Sequence, residues 1–209
     1  MNTEIQGIDV LASIHPWYTF KIFSHEKFDE IRKSRPKIPT PFRVLVYCTN
    51  PKNNVGFWMP KPGYPDDHAS CYLSICKRWQ FDQLGNGFVV GEFICDSITE
   101  HVWHEDDSPI NPIYEPYFMK AYYTPDVSEE RSCLKRSEIE EYGDGKKLYS
   151  WHIKDAKLYD KPVPISNFKV EHRTKAWITQ EPLKRPPQSW CYVINTERES
   201  TLTKKDALA

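Results

Sequence analysis

Glycine is scarce in this 209-residue chain, with eight residues against 17 prolines. Neither a G-x-x-x-x-G-K-[ST] loop nor a G-x-G-x-x-G fingerprint occurs, and the nearest approach, Gly85-x-Gly87, leads into a strand-like run rather than a helix. Glycine-cradled phosphate sites are thereby excluded. Net charge is also missing: 28 Lys and Arg against 29 Asp and Glu leave a formal −1, so no global field draws the chain to nucleic acid or membrane. No apolar run approaches the roughly 20 residues of a spanning helix. The start, MNTEIQGID, lacks the basic and apolar regions of a secretory signal, so the reading is a cytoplasmic protein without membrane contact. The six cysteines form no C-x-x-C pair and are read as reduced thiols. His101-x-x-His104 and His68-x-x-Cys71 have ligand-like spacing, but neither has a second half at a zinc-site distance. No metal and no cofactor are expected, and no G-x-S-x-G elbow offers a nucleophile.

What is abundant is aromatic: 14% of residues, including seven Trp and 12 Tyr. Ile8 to Ser13 reads as a first strand, and Ser13 with Pro16 as the start of a short helix carrying Trp17, Phe20 and Phe23. FDEIRK reads as a strand that ends at the proline-stiffened RPKIPTP. FRVLVYCT, from Phe42 to Thr49, is the clearest strand, rich in β-branched and aromatic residues. Residues 51–86 break the pattern and read as an insertion with a short helix around SICKRWQFDQL. GFVVGEFICDSITEHVW resumes as a long strand or bent pair, with Gly91 marking a bulge or close backbone approach.

Residues 104–136 read as an irregular acidic, Tyr-rich insertion. A helix is expected across SEIEEYG, with Ser137 as N-cap, Glu140 as capping-box partner and Gly143 as its stop. LYSWHIKDAKLYD and SWCYVIN supply the late strands. The fold class is α+β, β-rich, with a barrel-like or strongly curved sheet, a few short helices and an insertion. One domain spans 1–197, followed by a flexible tail, 198–209.

The densest chemistry lies in EKFDEIRKSRPK, where Arg32, Lys33, Arg35 and Lys37 fall within six positions. Such a run neutralises phosphates, and Arg also stacks on or forks to a base. A solvated strand edge explains the same run equally well. HPWYTF, LYSWHI and QSWCYV interleave aromatic with polar residues, and a base stacked on one such ring gains about 1–3 kcal/mol. Core packing is the competing account of each Trp. Asp96 to Glu115 holds six acids and no Lys or Arg.

These segments resemble the ASCH domain proteins, which are similar to the PUA superfamily of RNA-binding β-barrels. The resemblance rests on Leu11 to Lys37, PFRVLVYCT, VVGEFICD, Leu148 to Phe168 and RPPQSWCYV, and is strongest to a branch of bacteria and phages. It implies a closed or nearly closed barrel in a bacterial or phage-infected cell. It also implies a cleft lined by the start of the first helix, the K-x-x-x-x-R strand and the late W-H strand. Some members are amidohydrolases that deacylate cytidine, with a Lys, a Thr three residues on and then an Arg; a ribonuclease activity has been proposed for others. Lys27 and Arg32 match that motif, whereas Glu30 stands where the Thr nucleophile would be. A carboxylate there serves as base or as acceptor for an amino edge rather than as nucleophile.

The expected function is therefore binding of RNA or of a modified nucleobase or nucleoside. Lys27, Arg32 and Arg35 supply positive charge, Glu30 an acceptor, and Trp151, His152 and Trp190 stacking or edge contacts. A hydrolase of acylated nucleosides or RNA, using Lys27 and Glu30 with His152 as proton carrier, is the alternative. A protein-interaction module that uses the acidic loop is the third.

Overall fold

The computed structural model describes residues 8–51, 55–60, 72–74, 82–105, 121–173 and 178–195. Strand β1 (Ile8–Ile14) runs parallel to β3 (Phe42–Cys48), with Leu11 opposite Leu45. A parallel pair needs a crossover, and α1 (Pro16–Phe23) and β2 (Asp29–Arg32) provide it. On the other side of β1 lies the antiparallel β12 (Trp190–Asn195). The two longest strands, β7 (Val89–Glu105) and β9 (Leu148–Val163), pair with each other, and β7 also pairs with β3. Including β10 (Phe168–Arg173) and β11 (Ile178–Pro182), the path reads β11-β10-β12-β1-β3-β7-β9-β2. A short β8 (Ala121–Thr124) pairs with the far end of β7.

Residues 51–86 were expected as an insertion, and their described part builds its own three-stranded sheet. β4 (Gly56–Pro60) lies between β5 (Tyr72–Ser74) and β6 (Asp82–Leu84). The helix expected at 74–84 is corrected at its ends, which are strand. Its middle, like residues 106–120 of the acidic insertion and the tail, lies outside the described residues.

β1 and β3 are buried on both faces, which is why they read as nearly continuous apolar runs. Their even-numbered residues, Val10, Ala12, Ile14, Val44 and Val46, join Phe93, Trp151, Ile22 and Phe57 in the main core. Leu11, Leu45 and Tyr47 turn the other way, toward Phe168 and Val193. A third cluster, Ile31, Tyr123, Val127, Ile139 and Leu148, seats α2 (Glu129–Ser132) and α3 (Arg136–Gly143) beside β2.

The bulge expected at Gly91 is present, since the β3–β7 register shifts between Val46 opposite Gly91 and Tyr47 opposite Val89. A Cβ at Gly91 would stand 2.4 Å from the Phe23 ring and 2.5 Å from the Lys157 carbonyl oxygen. The helix expected from a Ser137 cap starts two residues earlier. Lys135 is the N-cap, and its backbone N–H donates to the Glu138 carboxylate at 2.7 Å, while Glu140 pairs with Arg136 instead. The first four N–H groups of a helix need acceptors, and the Glu138 carboxylate was the one in reach of the chain's entry angle.

The strand path is open in its backbone hydrogen bonds, with β2 and β11 at its ends. The sheet nevertheless curls until β2 returns to β1 and β12, and side chains bridge the seam. Arg32 Nη2 donates to the Ser13 carbonyl at 2.9 Å, and Nη1 to the Ser189 carbonyl and hydroxyl at 3.3 and 3.2 Å. Just beyond, Trp190 Nε1 donates to Ser34 Oγ at 3.0 Å, and the Lys37 N–H to Tyr192 Oη at 2.7 Å.

Candidate functional site

The seam leaves a cleft of about 560 Å3. Its walls come from the end of β1 (Ser13, Ile14), the start of α1 (His15, Tyr18), the β2 edge (Glu30 to Lys33, with Lys27 before it) and α3 (Glu138, Glu141, Tyr142). The turn after α1 delivers Lys27: the N–H groups of Glu26 and Lys27 both donate to the Lys21 carbonyl, folding the chain back under the helix. Glu30 and Arg32 are two apart on a strand and so share one face of the sheet.

At the floor the Glu30 carboxylate lies between two buried cations. Arg32 Nη2 is 2.9 Å from Oε1, and Lys27 Nζ is 3.6 Å from Oε2. Lys27 also donates to the Ser132 carbonyl and lies 5.0 Å from the centre of the Tyr18 ring. Burial pushes its amine below the ordinary lysine value, with the Glu30 carboxylate pulling the other way. Tyr18 and Tyr142 are both pushed up by burial, so each presents a neutral phenol. At the mouth the Lys33 ammonium lies 5.0 Å from the Tyr142 ring. In all, Lys27, Arg32 and Lys33 face Glu30, Glu138 and Glu141, so the lining is close to electrically balanced.

Of the residues expected at the site, Lys27, Glu30 and Arg32 converge. The others do not line this cleft. Trp151 is fully buried in the main core, edge-on to Phe42 and Trp190, so it supports the seam from behind. His152, the next residue along β9, points the opposite way because strand side chains alternate. Its Nδ1 is 2.5 Å from Asp96 Oδ1, and that contact holds the Asp96 carboxyl below the usual range. Trp190 is half-buried and fastened to Ser34. Arg35 is exposed and faces Glu100 electrostatically. Lys33, Arg35 and Lys37 are all exposed on the segment that follows β2, and of the three Lys33 lines the cleft. His101, from the pair with metal-like spacing, is buried with Nδ1 2.6 Å from the Pro125 carbonyl and Nε2 2.6 Å from Ser150 Oγ.

His15, Tyr18 and Tyr142 were not singled out from the sequence. HPWYTF had been marked as an aromatic block, and that signal contained the first two. Tyr142 sat in a helix whose orientation nothing local revealed.

Comparison with solved structures finds the chain similar to a crystal structure of ASCH from Zymomonas mobilis, at 15% identity and a TM-score of 0.48, covering 94% of each chain. A tyrosine-to-phenylalanine mutant of the Zymomonas mobilis protein matches at 15% identity and a TM-score of 0.47, covering 94% of this chain and 96% of that one. A serine-to-alanine mutant matches at 14% and 0.48, covering 94% of each. These structures carry the family name that the sequence blocks resemble. No protein-family model and no curated protein matches the chain.

Proposed function

We propose that the cleft binds a nucleobase or nucleoside, with Glu30 accepting hydrogen bonds from its amino edge and Tyr18 and Tyr142 contacting its ring. The observation that carries this reading is the Glu30 carboxylate, clamped by Lys27 and Arg32 at the floor of a cleft with an aromatic residue on each of two walls. A volume of about 560 Å3 lies within the roughly 300–1,000 Å3 of small-ligand pockets. A carboxylate held by two cations is preoriented as an acceptor, which favours a ligand bearing donors over one bearing phosphate. The balanced lining supports the same preference.

The exposed cations Lys33, Arg35 and Lys37 favour a second form of the same reading, in which the nucleoside arrives within an RNA strand whose phosphates these side chains neutralise. A hydrolase built on Lys27, Glu30 and His152 finds less support, because His152 lies on the other face of β9.

Calorimetric titration with the four ribonucleosides, N-acylated cytidine and a single-stranded RNA oligomer at about 50 mM salt tests the reading. The expected result is saturable binding of at least one nucleoside, lost in Glu30→Gln and retained in Trp151→Phe. Absence of binding by any of these ligands would overturn it. Loss of RNA binding alone in a Lys33, Arg35 and Lys37 triple alanine variant identifies the strand-borne form.

A further inference from the structure

We propose that His15 is a hydrogen-bond donor of the cleft, an imidazole whose Nδ1 caps α1 and whose Nε2–H meets an acceptor on the ligand. The inference rests on the cleft being a ligand site, and adds the second half of its recognition chemistry.

The argument begins in the sequence. Pro16 occupies the first helical position and has no N–H, so Trp17 carries the first orphan donor of α1. N-caps are usually Ser, Thr, Asp or Asn. Here the cap is a histidine: His15 has extended backbone, its carbonyl accepts from Thr19 N–H at 2.9 Å, and its Nδ1 accepts from Trp17 N–H at 3.3 Å. An Nδ1 that accepts carries no proton, so the ring's single proton resides on Nε2. Burial lowers the imidazole from its ordinary value, which keeps it neutral at physiological pH. The groups facing the cleft around it are Tyr18 on α1, Lys27, Glu30, Arg32 and Lys33 on the β2 side, and Glu138, Glu141 and Tyr142 on α3.

Of the cations lining the cleft, Lys27 and Arg32 already serve protein acceptors, though Arg32 Nε keeps no partner among the described residues, and Lys33 lies against the Tyr142 ring at the mouth. Lys27 serves the Ser132 carbonyl and Glu30, and Arg32 serves Ser13, Ser189 and Glu30. His15 is therefore a donor with capacity left, and Glu30 is the matching acceptor. Together they suit a ligand edge on which a carbonyl oxygen or ring nitrogen sits near an amino group. A ligand offering only donors, or only acceptors, leaves one of the two unpaired.

Two measurements on the full-length protein test this. In nitrogen-detected NMR, His15 is expected as the Nε2–H tautomer, titrating below the ordinary histidine range, with the Trp17 amide shift following the same titration. An Nδ1–H tautomer, or a His15 titration that leaves Trp17 unmoved, overturns the assignment whatever the ligand. The second measurement uses His15→Ser, which keeps a capping oxygen while removing the imidazole. Its melting temperature is expected to stay near the parent's, and its affinity for the nucleoside the parent binds to fall about tenfold, the loss of roughly one hydrogen bond. Should His15→Ser be destabilised, His15→Asn, another strong cap, takes its place in the same comparison. Unchanged affinity in the folded variant removes His15's role and leaves the cleft reading intact. Absence of binding by the parent removes the cleft reading and this role with it.

Discussion

Arg32 donates to the Ser13 carbonyl at 2.9 Å, and this contact joins one end of the strand path to its middle. The same guanidinium grips Glu30 and Ser189, so one side chain both bridges the seam and shapes the floor of the cleft. Arg32→Ala leaves Glu30 with Lys27 alone and takes a donor from the Ser13 carbonyl and from Ser189, whose carbonyl keeps the Ser13 N–H. Breaking a buried ion pair costs about 3–5 kcal/mol, and urea unfolding is expected to show a loss of that size. Arg32→Lys recovers only part of it, because a single ammonium cannot fork across three partners. A loss below about 1 kcal/mol in the alanine variant, the range of surface pairs, would mean that the seam does not depend on this residue.

Lys27 predicts a pH dependence with a definite sign. Burial lowers its folded-state value below 10.5, so the unfolded chain binds more protons in the window between the two values. Stability therefore rises with pH across that window, and below it the charged amine bears the full cost of burial. Lys27→Met removes the titrating group while Glu30 keeps Arg32. The stability difference between parent and variant, followed by urea midpoints from neutral pH to about 10.4, is expected to shift in the parent's favour as pH rises. Parallel curves would place Lys27 outside this balance.

Gly91 is required by space rather than by backbone conformation. The Lys157 carbonyl that a new Cβ would meet is backbone in a paired strand, and Phe23, the last residue of α1, is packed against Phe57. Gly91→Ala is expected to lower stability by about 1–3 kcal/mol, the usual cost of overpacking, as measured by thermal unfolding. A neutral result would mean that the bulge shifts freely.

Much of the sheet was legible in the sequence because alternation and β-branched runs report which positions are buried. β1, β3, β7 and β12 emerge within a residue or two of their expected bounds. The α3 cap was misjudged by reading Ser137 as the cap, when the chain met the helix at Lys135 and used Glu138 to satisfy its N–H. Local residue type ranks capping candidates, but the entry angle selects among them.

The site divides in the same way. By itself the sequence determined that Lys27, Glu30 and Arg32 lie close together, since a short turn and a two-residue strand spacing leave them little choice of neighbours. It also determined that Trp151 and His152 point to opposite faces, because the strand period is two. Only the tertiary structure decided that neither side chain lines the cleft, Trp151 packing into the main core and His152 turning to Asp96. That depends on how far the sheet curls and where β2 comes to rest, both set by packing between residues more than a hundred positions apart. The same long-range packing brought His15, Tyr18 and Tyr142 to the seam. The scarcity of glycine excluded one way of holding a ligand; the curl of the sheet left instead a gap between strands lined by side chains.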